Sequence, residues 1–391
     1  MKICKSHTYN NDDNSFRSEL KCLPRDKYIL DFSINKCSQN RGEDRIYQKY
    51  IPQEKIQCIS YENSYLVSGI KQKSSCIEYA IYDINGCPHD SSLGHDVNIH
   101  KLSRKNIPLK ELSYKINYNC EKYEKVCPII SASSEQWQHF MWESVCNLVW
   151  ISDWLRDNED VSLAVYPPEF DSFEYIIRGI LKLKNKIIYI SKNETIFAKE
   201  IFSVRNIPFD QHKFCPPHLV RKVREKFYNN KVDEPKNVIF IPRLKQKNRI
   251  VENFPEVFDF LNEYCTSNGL NLIVFDADDM SHEERFKIFN EAKFVISPHG
   301  GSNYHCYWFN KNCKLIEIVF PSRKSGFHEL GSVCCSFGLD YTCIVSEYNN
   351  HYSNFISLNV DKLKDVFDGK DTETVNTNEY YWNNKREEVN I

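Results

Sequence analysis

Residues 281–320 read SHEERFKIFNEAKFVISPHGGSNYHCYWFNKNCKLIEIVF, and this stretch decides the fold. Its first part, SHEERFKIFNEA (281–292), opens with Ser281 and has Glu284 three residues on. That pair can close a capping box, so a helix is predicted. KFVIS (293–297) is an apolar run of strand length that Pro298 stops. His299, Gly300 and Gly301 then make a tight turn, a short helix can start near Ser302, and KLIEIVF (314–320) is another strand. Helix, strand, glycine turn and strand in this order predict parallel β/α packing.

The alternation extends upstream. A basic helix over 218–228, the strand NVIFI (237–241), a helix over about 255–265 and the strand LNLIVFD (270–276) precede the capped helix. Pro208 and then Cys215, Pro216 and Pro217 break the pattern. Before the break a first series runs through a helix over 134–156, SLAVY (162–166), a helix over 173–183, KIIYI (186–190) and a further strand within 200–204. The 134–156 helix places Trp137, Phe140, Met141, Val145, Leu148 and Ile151 on one stripe, with Ser134 as its expected cap. Residues 1–130 show only short apolar stretches between polar turns, and beyond about 345 the chain turns polar. The expected organisation is a short-strand-rich region (1–130) belonging to the N-terminal lobe, an N-terminal α/β domain (131–215), a C-terminal α/β domain (216–345), and a polar segment and tail (346–391). Two facing α/β domains of this kind hold ligands at the carboxyl ends of their strands.

Composition narrows the function. Lys and Arg number 51 against 53 Asp and Glu in 391 residues, which argues against a general nucleic-acid binder. Hydrophobic residues at 41% and aromatics at 14% supply a sizeable core. No apolar run reaches the length of a membrane span, and MKICKSHTYNNDDNSF has no signal-like apolar region, so the expectation is a cytoplasmic chain. The 16 cysteines contain no CxxC pair. They are either disulfides of a secreted protein or reduced thiols serving as small hydrophobes, and the missing signal favours the second.

Four features carry chemistry. The turn at 299–303 lets backbone amides approach an anion, although two glycines after a strand also mark ordinary turns. KNVIFIPRLKQKNR (236–249) holds Lys236, Arg243, Lys245, Lys247 and Arg249 and no acid. Guanidinium groups just after a strand suit a diphosphate, and the alternative is a solvated basic loop. Glu317 sits inside an apolar strand, where an acid is costly unless paired or binding something; it either meets ribose hydroxyls or faces water at the strand's exit. His139 and Glu143, four residues apart, share a helix face bordered by Trp142, Cys146 and Trp150. They are either general-base partners or a surface pair.

Together these pieces resemble glycosyltransferase family 61. The family pattern runs from a helix with H-x-x-x-[DE], through a strand ending in Ser-Arg and a further Arg, to a helix with Glu and Phe before "A…HG" and a strand with Glu. The matching residues are His139 with Glu143, Arg243 in IPR, Arg249 in NRIVEN, SHEERFKIFNEAKFVISPHG, and Glu317 in LIEI, across about 134–320. Two departures stand out: HGGSNYH replaces the common HGAGLTN, and Pro242 replaces the Ser of Ser-Arg. The resemblance implies a GT-B architecture of two facing Rossmann-like domains with parallel sheets. It also implies an inverting, metal-independent transfer from a nucleotide-sugar, usually a UDP-sugar, to a hydroxyl of a glycan or protein acceptor, with no other cofactor. In that scheme Glu143 or His139 accepts the acceptor's proton, with Glu143 preferred as base and His139 orienting it. Arg243 and Arg249 neutralise the leaving diphosphate, helped by the amides of Gly300, Gly301, Ser302 and Asn303 and by His299 or His305, while Glu317 holds the ribose. DADD (276–279) resembles an Asp-x-Asp metal site but reads as a plain loop between a strand and a capped helix. The competing readings are an inactive nucleotide- or sugar-binding module of the same fold and a phosphate-handling hydrolase.

Overall fold

In the computed structural model the described residues are 3–5, 32–35, 57–72, 75–86, 116–131, 134–205, 223–228, 232–276, 280–319, 330, 334, 337, 339–346, 354–369 and 372–375. The boundary residues Pro208 and 215–217 lie outside them, as do the apolar stretch 28–30 and most of the tail. The chain divides into two units: Met1–Asp26 with Ile51–Leu219, and Lys27–Tyr50 with Val220–Ile391. Both are α/β, one sheet mixed and the other almost wholly parallel.

In the first unit the sheet runs Ile3–Lys5, Gln57–Gln72, Thr195–Arg205, Glu121–Pro128, Ser162–Val165, Ile187–Tyr189, and Ser75–Tyr82 also pairs with Gln57–Gln72. The strands from Thr195–Arg205 to Ile187–Tyr189 are parallel, as the alternation predicts. Gln57–Gln72 is antiparallel to both Thr195–Arg205 and Ser75–Tyr82, so the N-terminal strands give the sheet its mixed half. Tyr61, Leu66, Ile81, Ile196 and Ile201 from that half pack with Val126, Ala164 and Ile188 from the parallel half.

The helix expected over 134–156 is present with two corrections. It begins at Trp137, and Ser134 does not cap it: the Ser134 hydroxyl exchanges bonds with the Ser131 backbone instead. It is also not regular. Trp137–His139 is α, Phe140–Ser144 is a π turn in which the Val145 N–H reaches the Phe140 carbonyl five residues back, and Val145–Asp157 is α again. The apolar stripe is buried as expected, apart from half-buried Trp137. The 173–183 helix is likewise largely a π segment, Tyr175–Ile180. The fully buried Asn185 amide ties this layer together, donating to the carbonyls of Leu155, Asn158 and Val161 at 3.3, 2.9 and 3.1 Å.

In the second unit the order is Asn271–Val274, Asn237–Phe240, Ala292–Pro298, Lys314–Val319, Asp340–Val345, Phe32–Asn35, Thr372–Val375. All pairs are parallel except the last. The four strands read from 237 to 320 all form; Asn237–Phe240 and Lys314–Val319 are buried runs as central parallel strands require, whereas Asn271–Val274 lies at the sheet edge and is partly exposed. Helix Phe254–Asn268 starts with Pro255 in its first turn and ends on Gly269, whose φ of 64° gives the left-handed cap. Helix His282–Asn290 carries the full Ser281–Glu284 capping box. The polar stretch beyond 345 still supplies core: Ile356, Leu358, and Val360, Leu363 and Val366 of helix Val360–Phe367 pack with Val251, Leu261 and Ile316.

No helix among the described residues is long and apolar enough to cross a membrane. Cys120, Cys127, Cys146, Cys265, Cys306, Cys313 and Cys334 are free thiols, and all but Cys120 are buried. Burial pushes the Cys265 thiol up to about 11, consistent with a small inert hydrophobe. Asn185→Ala strands three carbonyls that the amide now satisfies. A loss of about 2–3 kcal/mol is expected from urea unfolding of the purified chain, and an unchanged midpoint would show those carbonyls to be rehydrated.

Candidate active site

In the second unit the chain leaves strand Asn237–Phe240 through Ile241 and Pro242, and both arginines singled out in the sequence follow in an unusual backbone state. Arg243 has φ 61° and Arg249 φ 57°, the left-handed region that non-glycine residues seldom occupy. Such outliers gather at functional sites because the surrounding structure must hold them there. Here the holding contacts are visible. The Arg243 Nε and Nη2 donate to the Asn248 carbonyl and Asn248 Oδ1, both at 3.1 Å. Arg249 Nη1 donates to the His299 carbonyl, tying the basic loop to the glycine turn. Gly300 lies directly under the Arg243 guanidinium: a Cβ there would sit 2.7 Å from Arg243 Nη1.

Arg243 is half-buried, and among the described residues its hydrogen bonds go to Asn248 alone, with no carboxylate partner. Burial pulls its pKa below the ordinary arginine value. A guanidinium partly desolvated and without a counter-ion among the described residues is chemically suited to an anion. Its place, beyond the carboxyl end of a central parallel strand, is where open α/β sheets take ligands.

Behind the turn lies a buried relay across three adjacent strands. His299 follows strand Ala292–Pro298, and its Nδ1 is 2.6 Å from Glu317 Oε1. Glu317 Oε2 accepts from the Tyr341 hydroxyl at 2.5 Å, and Asn303 Nδ2 approaches Oε1 at 3.4 Å. Glu317 is 0% exposed. The expectation that it meets ribose hydroxyls is therefore corrected: both oxygens already accept from side chains within the unit, and they fix the His299 ring. Gly301, Ser302, Asn303 and His305 belong to the 3₁₀ turn Gly301–Tyr307. His305 is corrected as well. Its Nδ1 is bonded to the Ser302 carbonyl at 2.7 Å and its ring stacks on Phe289, so it packs the core of the turn. Lys245 pairs with Asp276 at 3.2 Å, while Asp278 and Asp279 of DADD lie outside the described residues.

His139 and Glu143 belong to the first unit. His139 Nδ1 is 2.9 Å from Glu143 Oε1, with side chains 36% and 20% exposed. Trp142 and Cys146 beside them are buried, and the Trp150 side chain lies outside the described residues. The π turn contains Glu143, and single π turns inside α-helices recur at functional sites. Glu143 Oε2 is buried and has no hydrogen-bond partner among the described residues. An imidazole held through Nδ1 by a carboxylate is the arrangement that fixes a histidine as a proton acceptor.

The structure thus groups Arg243, Arg249, His299 and Gly300, with Glu317 and Asn303 behind them, and separately pairs His139 with Glu143. Two residues the sequence reading passed over hold these groups. Asn248, which grips Arg243, had a faint signal, an amide just before an arginine in a basic loop. Tyr341, which grips Glu317, had none, because its role follows from strand register alone.

With these groups in place, comparison with known proteins gives the class: the chain is a glycosyltransferase. The family model for Glycosyltransferase 61 matches residues 137–316, from the start of the His139 helix to the strand of Glu317, and it is to family 61 that this region belongs. No curated protein matches the chain.

Gly300→Ala should push the Arg243 guanidinium off the turn without backbone strain, because φ at Gly300 is 166°. Calorimetry with UDP as probe is expected to show a loss of about 10–100-fold, the worth of one charge-assisted contact. Unaltered affinity would remove Arg243 from the anion site.

Proposed function

We propose that the chain moves a sugar from a UDP-sugar to an acceptor hydroxyl with inversion, in a single displacement and without a metal. The observation that supports this best is Arg243, a guanidinium without a carboxylate partner among the described residues, set over a glycine at the end of a parallel strand. The second unit takes the donor and the first activates the acceptor, each unit corresponding to one Rossmann-like half of a GT-B enzyme.

In the reaction the acceptor oxygen attacks the anomeric carbon as its proton passes to the base. The bond from that carbon to the diphosphate oxygen breaks, and UDP leaves with the electron pair. Arg243 and Arg249 offset the charge that grows on the diphosphate, and the N–H groups of the 300–303 turn add to this. Such preorganised electrostatics is often the largest catalytic contribution. His299, clamped by Glu317, presents its remaining ring nitrogen from a fixed ring. Sequence favours Glu143 as the base; the geometry favours His139. Glu143 spends one oxygen on His139 and buries the other, whereas the His139 ring is the more exposed member of the pair. Glu143 then orients the imidazole and stabilises it once protonated.

His139→Ala is expected to lower kcat by about 10²–10⁴-fold with UDP affinity kept, and added imidazole should restore part of the rate. Rescue of Glu143→Ala by formate, with no imidazole rescue of His139→Ala, would return the base role to Glu143. Binding of UDP-sugars without turnover or hydrolysis would instead mark a binding module. Turnover should also persist in excess EDTA. Complete loss restored by manganese would transfer the neutralising role from the arginines to a metal.

A further inference from the structure

The Arg243 guanidinium is gripped along one edge. Its Nε and Nη2 donate to the Asn248 carbonyl and to Asn248 Oδ1, both at 3.1 Å. A guanidinium carries five N–H groups, so both on Nη1 and the second on Nη2 lie outside this fork. Nη1 lies over the glycine turn, 2.7 Å from where a Gly300 Cβ would stand, and Arg249 Nη1 lies 3.7 Å from the same point. Two like charges thus converge on Gly300, and the side chain that fixes the first of them is a neutral amide. A fork of this kind is the usual seat of a carboxylate. From this geometry we propose that Asn248 is a positioning residue. It aims Arg243 at the turn while leaving the charge uncancelled, and a carboxylate of the same shape in its place would close the site to anions. The inference rests on the donor-site reading of Arg243 and adds the residue that keeps that site charged.

The surroundings follow the same rule. Residues 236–249 contain no acid. A carboxylate does reach this end of the sheet: the Phe275 N–H donates to the Phe240 carbonyl at 2.8 Å, and Asp276 follows. It pairs with Lys245 at 3.2 Å, and among the described residues no acid bonds Arg243. Burial lowers the Arg243 pKa, with no carboxylate pulling the other way.

Asparagine and aspartate have nearly the same shape, and either can accept from Nη2. With the amide, the guanidinium keeps its full charge and its outer N–H groups for a ligand. With a carboxylate the fork would become an ion pair, and an incoming diphosphate would have to compete with a tethered anion. Burial does not explain the choice, because Asn248 is exposed and water would solvate a carboxylate there. The amide forgoes a stronger bond to Arg243 and leaves the cation open.

The test uses the whole chain, with inorganic pyrophosphate and UDP as probes in calorimetry and the thermal midpoint recorded for each variant. Asn248→Asp is expected to weaken pyrophosphate by at least about 10-fold, while Asn248→Ala, which keeps the backbone carbonyl on Nε, costs only about 2–5-fold. The midpoint of Asn248→Asp should be unchanged or about 1–3 °C higher, so that affinity and stability move apart. In an Arg243→Ala background, adding Asn248→Asp should cost less than about 3-fold, because the effect passes through the arginine. Pyrophosphate affinity unmoved in Asn248→Asp, a larger loss in Asn248→Ala, or an undiminished loss in the Arg243→Ala background overturns the inference. Pyrophosphate binding in the expected pattern without UDP binding would keep the role of Asn248 and sink the UDP-sugar reading. UDP and pyrophosphate binding that Asn248→Asp leaves unchanged would do the reverse, and no binding of either probe to the native chain would remove both.

Discussion

The second unit holds a half-buried positive charge, Arg243, that meets no carboxylate among the described residues. Removing a guanidinium from water is costly unless it is paired and hydrogen-bonded, and Arg243 receives only a carbonyl and an amide oxygen from Asn248. Several other features read as consequences. Arg243 and Arg249 each take a left-handed backbone. Arg249 fastens that loop to the His299 carbonyl. Gly300 has no side chain because Arg243 occupies the place of its Cβ. Each arrangement costs free energy that the surrounding contacts must offset.

Much of the architecture was legible because it is local or uniformly apolar. The Ser281–Glu284 box depends on residues three apart, and central parallel strands read as unbroken apolar runs. What the sequence concealed depends on distant partners or on mixed composition. Gln57–Gln72 owes its length to antiparallel pairing with Thr195–Arg205, far along the chain. Val360, Leu363 and Val366 form a buried stripe within a stretch whose average composition is polar. The π turn at Phe140–Ser144 is a choice of hydrogen bond five residues back rather than four, and such a choice leaves no residue pattern.

For the site, sequence identified residues more readily than roles. Glu317 was conspicuous as an acid in an apolar strand, yet its task is set by what the register brings beside it: the strand ending before His299 on one side and that of Tyr341 on the other. His305 lay within a glycine loop that invited a ligand-binding role, but Phe275, Phe286 and Phe289, all upstream of the loop, enclose it in rings. Register and ring packing are tertiary facts, and neither spacing nor residue type encodes them.

The two imidazole–carboxylate pairs show how solvent access separates like chemistry into unlike work. His299 and Glu317, 2.6 Å apart and 3% and 0% exposed, are shut away from solvent. Such a pair is suited to holding a ring still, with Tyr341 completing the carboxylate's bonds. His139 and Glu143 are 2.9 Å apart and 36% and 20% exposed. A base must both receive a proton and give it up to water after each turnover, and of these two pairs the second is the more exposed to solvent. In the proposed reaction the same two residue types would therefore serve as a fixed strut in one unit and as the proton acceptor in the other, a division that follows accessible surface more than the identity of the side chains.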